Sequence, residues 1–379
     1  MRPAAKPFVA VDIGSTKVAC LFLMPASSGA WDVAGCGLAR YQLGASGWPA
    51  ESLTISQALE QALEEARVPA SVDRAVAAFS HPDLSHDRVS AQIRLADEPM
   101  SVRNRDVERL HRQAVSQALG IDREVFLLEA LGYTGNGFTG VRDARGLVAT
   151  RLAGEFQLVA VPLAVRRVVR QAFEATGLEV TQLVYSLSAA LTACSEDIAA
   201  ASRVLVMDIG GWCTDLAIVE HGRLVRSATA AWGGMSLVDA IAKRCGAPRE
   251  RALMLSLEGL AGSTPEVRAV VEEQLAELRT ALDAFLREQA QPERVVVSGG
   301  SSLIGGMLEW IEAATGLPAS LGRHAKAKEQ GDLSSQMSFS TVYGLVQLIA
   351  PAPVVASPKP VQALNRLVER TKILLNEYF

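Results

Sequence analysis

One pattern occurs twice in this chain: an apolar run, then Asp-Ile-Gly and small polar residues, then a second apolar run. The first copy is Phe8-Val9-Ala10-Val11-Asp12-Ile13-Gly14-Ser15-Thr16-Lys17-Val18-Ala19-Cys20-Leu21-Phe22. The second is Val206-Met207-Asp208-Ile209-Gly210-Gly211-Trp212-Cys213-Thr214-Asp215-Leu216-Ala217-Ile218-Val219. Each reads as two strands joined by a tight turn with glycine at the tip. Without a Cβ, Gly210 and Gly211 let backbone N–H groups come close to an anion. Asp208 and Asp215 place carboxylates on the same rim, where they can hold a hydrated Mg2+. One such stretch is equally an ordinary hairpin with solvated acids. Two copies, far apart in the chain, point to two related domains facing one ligand.

A third element is Val295-Val296-Val297-Ser298-Gly299-Gly300-Ser301-Ser302-Leu303-Ile304. It reads as a buried strand, a Gly-Gly turn and then a helix whose N-terminus suits an adenosine and its α-phosphate. With the three turns in this order, the chain resembles the actin-like ATPase superfamily. The resemblance spans essentially the whole chain. It implies an α/β, actin-like (ribonuclease H-like) two-domain fold that binds ATP with Mg2+. By the same resemblance Asp12 contacts the metal through water and Asp208 completes the metal shell. Gly14, Ser15, Thr16 and Lys17 embrace the β-phosphate, and Gly210, Gly211 and Thr214 hold the γ-phosphate side. Glu250 grips the ribose, and Gly299, Gly300 and Ser301 support the adenosine.

The texture between about residues 81 and 161 differs. Arg88 to Leu95 alternates polar and apolar residues like a half-exposed strand. Asn104 to Leu119 is an amphipathic helix with Asn104 or Asp106 at its cap, and Gly132 to Gly140 reads as a glycine-rich loop. This is a small α+β module inserted in the first domain, a placement that resembles the FtsA family of bacterial division proteins and also PilM of type IV pilus machines. The expected division is residues 1–80 with 162–202 for the first domain, 81–161 for the insertion, and 203–350 for the second domain. A linker at 351–360 and an amphipathic helix at 361–379 follow. Pro265 to Ala290 is expected to be a long core helix, with an apolar stripe from Val267 to Leu286.

At 379 residues and 49% hydrophobic, the chain can bury more than one core. The net charge of −4 argues against a dedicated nucleic-acid binder. Five scattered cysteines with no CxxC or Cys/His spacing suggest a reducing compartment and no zinc site. No apolar leader or bilayer-length run is present, so a cytoplasmic location is expected.

Three departures bear on catalysis. Trp212 stands where the superfamily usually has glycine, so an indole is expected to crowd the γ-phosphate or distort the turn. Leu253 replaces the lysine of the usual Ala-Glu-x-x-Lys helix start, of which Glu250 survives. No acid or glutamine that would polarise water is visible near Tyr185-Ser186-Leu187-Ser188. Without it, only positioning lowers the barrier, so nucleotide binding with at most weak hydrolysis is expected.

In the tail, Leu364, Leu367, Val368, Leu375 and Tyr378 share a helical stripe widened by Leu374. Arg370 lies on its polar flank and Phe379 ends the chain. Such a face can sink into the headgroup boundary while its cations meet anionic lipid. The FtsA resemblance implies a polymerising scaffold, peripheral on the inner face of the cytoplasmic membrane. Its implied partners are the C-terminal tail of FtsZ, further copies of itself and other divisome proteins. The alternatives are a PilM-type adaptor, which shares the insertion, and a sugar or acid kinase, for which no catalytic acid stands out.

Overall fold

The computed structural model describes residues 6–26, 31–41, 47–262, 264–287 and 290–349. The first lobe begins with β1 (Phe8–Ile13), β2 (Lys17–Pro25), β3 (Trp31–Arg40), α1 (Ser52–Glu65) and β4 (Arg74–Phe79). The insertion follows as β5 (Ser85–Arg94), β6 (Met100–Ser101), α2 (Asn104–Ala118), β7 (Arg123–Gly135), β8 (Phe138–Val141), β9 (Val148–Ala149) and β10 (Arg151–Pro162). The chain returns to the first lobe with α3 (Leu163–Ala175), β11 (Glu179–Tyr185), α4 (Ser186–Ala193) and α5 (Ser195–Ile198). The second lobe comprises β12 (Arg203–Ile209), β13 (Thr214–Glu220), β14 (Arg223–Ala230), α6 (Gly234–Cys245), α7 (Arg249–Gly262) and α8 (Pro265–Leu286). After these come β15 (Arg294–Ser298), a 3-10 turn at Gly300–Leu303, α9 (Met307–Thr315), β16 (Ala319–Leu321) and α10 (Leu333–Ile349).

The two lobes share one sheet design. In the first the strand order is β11-β4-β1-β2-β3, and in the second β14-β13-β12-β15-β16. Each is an antiparallel meander with two parallel strands added beside its first strand. The apolar runs of the two sequence copies become strands buried on both faces. Val9, Val11, Val204 and Val206 have no exposed surface. A twisted sheet covered on both sides reads as a continuous hydrophobic run, which is what makes these segments legible.

The insertion forms its own four-stranded antiparallel sheet, ordered β5-β10-β7-β8. Its core of Leu110, Tyr133, Leu152, Phe156 and Leu158 packs beneath α2. Asn104 is the first helical residue of α2, and the Asp106 carboxylate accepts from the Arg103 N–H at 3.0 Å. The expected loop at Gly132–Gly140 is instead a hairpin: β7 and β8 pair around Asn136-Gly137. Gly137 takes a φ of +110°, which a tight hairpin tip favours. The long helix α8 stops at Leu286, short of the expected Ala290.

The end of the chain also departs from the expected division. Helix α10 crosses back from the second lobe and covers the outer face of the first sheet. Phe339, Val342 and Leu345 pack there against Ala10, Leu21 and Val76. The linker at 351–360 and the lipid-facing residues Leu364, Leu367, Val368, Arg370, Leu374, Leu375, Tyr378 and Phe379 lie outside the described residues. No described helix is long and apolar enough to cross a membrane.

Candidate functional site

Asp12 is the penultimate residue of β1 and Asp208 that of β12, at equivalent points of the two sheets. Both line a single cleft of about 1090 Å3 between the lobes. Gly14, Ser15, Thr16, Lys17, Gly210, Gly211, Glu250, Gly299, Gly300 and Ser301 line the same cleft. All the proposed nucleotide residues but one therefore share one wall or another of this space.

The exception is Thr214. Its side chain is fully buried, and its hydroxyl donates to the Trp232 carbonyl at 2.9 Å. The reason is strand alternation: successive residues of β13 face opposite ways, so Thr214 turns inward while Cys213 and Asp215 reach the cleft. Its neighbour Asp215 does line the cleft. It opposes Asp208 across the hairpin. Its carboxylate accepts from Tyr185 Oη at 2.9 Å and from Thr229 Oγ1 at 2.5 Å.

The two loops touch. Ser15 Oγ accepts the Trp212 N–H at 3.1 Å, and the space beside Gly211 is taken by the Thr16 methyl, 2.5 Å from where a Cβ would stand. A side chain at 211 would have to displace the Thr16 methyl, so glycine favours this close cross-lobe approach. Ser301 Oγ donates to the Gly210 carbonyl at 2.8 Å, which fastens the third turn to the second loop. That turn runs into a single 3-10 turn rather than the expected helix. The following α-helix begins only at Met307, so no α-helix N-terminus opens directly after Gly299-Gly300.

The Trp212 indole does not crowd the cleft. It packs against the second-lobe core, with the Arg249 guanidinium 6.0 Å from its ring centroid. Its backbone is not in the left-handed region, so the turn accepts a side chain there. Leu253 lines the cleft where the superfamily pattern has lysine. Tyr185, at the head of α4, offers a hydroxyl already committed to Asp215.

Charge is concentrated at the loop tips. Burial raises Asp12 to about 7, against the opposing pull of Lys17 and with a further push from Asp208. Burial also raises Asp208, offset by the hydrogen bond from Ser298 and by Lys17. Asp215 is raised to about 7 by burial, offset by its hydroxyl donors Ser80 and Thr229. Lys17 is lowered to about 8 by burial, and its ammonium donates to the Ser338 carbonyl of α10 at 2.9 Å. Buried acids held above their normal range suit a site that receives a cation. Mg2+ takes one or two carboxylates, with phosphate and water filling its other positions. Asp12 and Asp208 fit that requirement, while among the described residues no group of three acidic, His or Cys side chains is placed to hold a metal ion by itself. Arg40 and Ser80 also line the cleft, unanticipated because their sequence surroundings carry no motif.

A polar chain links Asp215 to the insertion. His86 of β5 places Nδ1 2.9 Å from Ser227 Oγ and Nε2 2.9 Å from Thr229 Oγ1, both on β14. Arg223 of β14 donates to the Ala130 carbonyl at 2.7 Å. Burial lowers His86 from 6.5 to about 4. The unfolded chain therefore binds this proton first as pH falls from 6.5 toward 4, and stability is lost across that window. Relative to His86→Gln, the wild type is expected to lose about 2 kcal/mol more stability between pH 7 and pH 5. Denaturation curves at the two pH values check this, and parallel losses in both proteins would refute it.

A family profile described as type IV pilus assembly protein PilM matches residues 165–338, and one described as the SHS2 domain inserted in FtsA matches residues 82–160. The cell division protein FtsA of Pseudomonas aeruginosa is 26% identical, covering 90% of this chain and 89% of that one. FtsA of Streptococcus pneumoniae is 22% identical over 83% of this chain and 75% of its own. The solved PilM–PilN type IV pilus biogenesis complex superposes with a TM-score of 0.70 at 16% identity, covering 91% of this chain and 98% of that one. MreB5 of Spiroplasma citri bound to AMPPNP gives a TM-score of 0.53 at 13% identity, covering 97% and 100%. The duplicated sheets and the cleft between them, with these likenesses, give the chain an actin-like ATPase fold. Within that class it is FtsA-like, by its SHS2 insertion and by its sequence relatives.

Proposed function

We propose that the cleft binds ATP with Mg2+, and that the protein acts in cell division as an FtsA-type scaffold. The observation that carries this reading is the convergence of Asp12, Asp208 and three glycine turns on one cleft. Asp12 and Asp208 would hold the metal. Lys17 and the first loop would face the phosphates, the second loop the terminal phosphate, and Glu250 with the third turn the nucleoside. When bound, Mg2+ supplies neutralisation of phosphate charge. At the head of α4, Tyr185 offers a phenol where a hydrolytic relative would offer a group to orient water, which supports slow turnover or none. Titration with a fluorescent ATP analogue, with and without Mg2+, tests the binding claim, and the absence of saturation would remove it.

The further steps are polymerisation, capture of the FtsZ C-terminal tail and tethering to anionic lipid at the inner face of the cytoplasmic membrane. They rest on the FtsA likeness and on the amphipathic pattern of residues 361–379. Each large apolar side chain buried in lipid contributes about 1.5–3 kcal/mol, so one tail binds weakly and a polymer of tails firmly. Removing residues 361–379 is expected to release the protein from anionic liposomes, read by sedimentation. Undiminished sedimentation would remove the tether.

A second reading is a PilM-type adaptor, favoured by the PilM profile over residues 165–338 and by the PilM–PilN structural likeness. Pull-down with an FtsZ C-terminal peptide and with a PilN-type cytoplasmic peptide separates the two. Retention of the FtsZ peptide supports the first reading and retention of the other supports the second.

A further inference from the structure

Lys17 of β2 and Arg40 of β3 stand directly opposite each other in the antiparallel register. Opposed residues of such a pair point to the same face, so two cations share one side of this strand end. It is the side covered by α10, whose Ser338 carbonyl accepts from the Lys17 ammonium at 2.9 Å. Like charges placed so are unfavourable until something offsets them. Burial does most to lower the Lys17 pKa; Asp12 pulls it back up, and Arg40 pushes it further down. Arg40 has no offset of its own. It is exposed and lines the cleft, and no described group forms a hydrogen bond or ion pair with its guanidinium. The Asp332 carboxylate, within reach of its field, is spent on the start of α10, where it accepts the Ser335 N–H at 2.8 Å. That bond is the main cause of the low Asp332 pKa, and Arg40 is a lesser one. An anion entering the cleft beside Lys17 brings the charge that this pair of cations lacks.

We propose that Arg40 is a binding residue of this cleft, whose guanidinium donates to a phosphoryl oxygen of the bound nucleotide beside Lys17. The proposal rests on the nucleotide reading above. It adds a cation that none of the three glycine turns contains, and one whose planar fork suits phosphate oxygens. It also makes Arg40 a source of preference for a nucleotide over its nucleoside. A merely solvated arginine predicts no effect on binding when it is replaced. A cation acting only through its field predicts an effect that salt removes. A direct phosphate contact predicts neither outcome.

The test is Arg40→Gln in the full-length chain, with two readouts. The first is the melting temperature without ligand. It is expected to be unchanged or higher, because the substitution removes one of two opposed cations and breaks no bond to a described group. The second is affinity for ATP with Mg2+ and for adenosine, in parallel titrations of wild type and variant at low salt and at about 0.5 M salt. ATP affinity is expected to fall about tenfold at both, the usual scale for one hydrogen bond between charged groups, while adenosine affinity holds. Arg40→Lys keeps the charge without the fork and is expected to fall between wild type and Arg40→Gln. Equal ATP affinity in wild type and Arg40→Gln, an equal fall for adenosine, a loss that vanishes at high salt, or a lower melting temperature without ligand would each overturn the proposal. If the wild type shows no saturable ATP binding, the nucleotide reading fails and takes the Arg40 assignment with it. Wild-type binding that the substitution leaves intact overturns the Arg40 assignment alone.

Discussion

Gly299→Ala is expected to destabilise the second lobe by about 4 kcal/mol and to abolish nucleotide binding, whereas Gly300→Ala should fold like the wild type. The two glycines are adjacent, but their surroundings are opposite. Gly299 has φ +85° and ψ 156°, a region that only glycine visits freely. A Cβ there would lie 2.3 Å from the Ile209 carbonyl oxygen and 2.8 Å from Asp208 Oδ1. The first clash is with backbone in the middle of the second sheet, so no rotamer change relieves it. The second pushes directly on a proposed metal ligand. Gly300 has open space on the side where a Cβ would stand. Its substitution should therefore leave the melting temperature alone and reduce only ligand affinity, through obstruction of the cleft. Thermal denaturation of both variants checks the contrast, and equal stabilities would show that the Gly299 turn can relax.

Asp12→Asn is expected to weaken Mg2+-dependent nucleotide binding by at least about 100-fold, close to 3 kcal/mol, without destabilising the ligand-free protein. Asp12 is 6% exposed and, with its pKa raised to about 7 by burial, is costly to ionise in the fold. A carboxyl raised in this way contributes stability below its unfolded value near 3.8, and that contribution is lost as pH rises through 7. At pH 8 the amide removes a buried charge, so the melting temperature should be equal or higher. Metal affinity moves the opposite way, because an amide offers Mg2+ a neutral oxygen where a carboxylate offered a charge. Calorimetric titration with and without Mg2+ separates the two. An unchanged Mg2+ dependence would take Asp12 out of the metal shell.

Much of the site is legible in the chain because its parts are local. Each acid and its glycines sit within one hairpin, and strand buried on both faces shows itself as a run of Val, Ile and Ala. Alternation along β13 would also have separated Thr214 from Asp215, since only one of two neighbours can face the cleft. The hairpin at Gly132–Gly140 hides because its glycines read as a loop, although Asn136-Gly137 is a hairpin-tip pair. Long-range features leave no local trace. Arg40 ends a strand, and only the folding back of β3 brings it to the cleft. The docking of α10 on the first sheet is likewise a matter of topology, since its apolar face would suit either lobe. Trp212 illustrates a different limit: its bulk was plain, but the direction of its side chain depends on Arg249 and the second core.

His86 and Arg223 make the insertion a strut between the lobes. A scissor motion that widens the cleft has to carry the insertion along with β14, or part it from that strand. The cheaper motion pivots about this braced side, so the cleft should gape furthest along its unbraced edge.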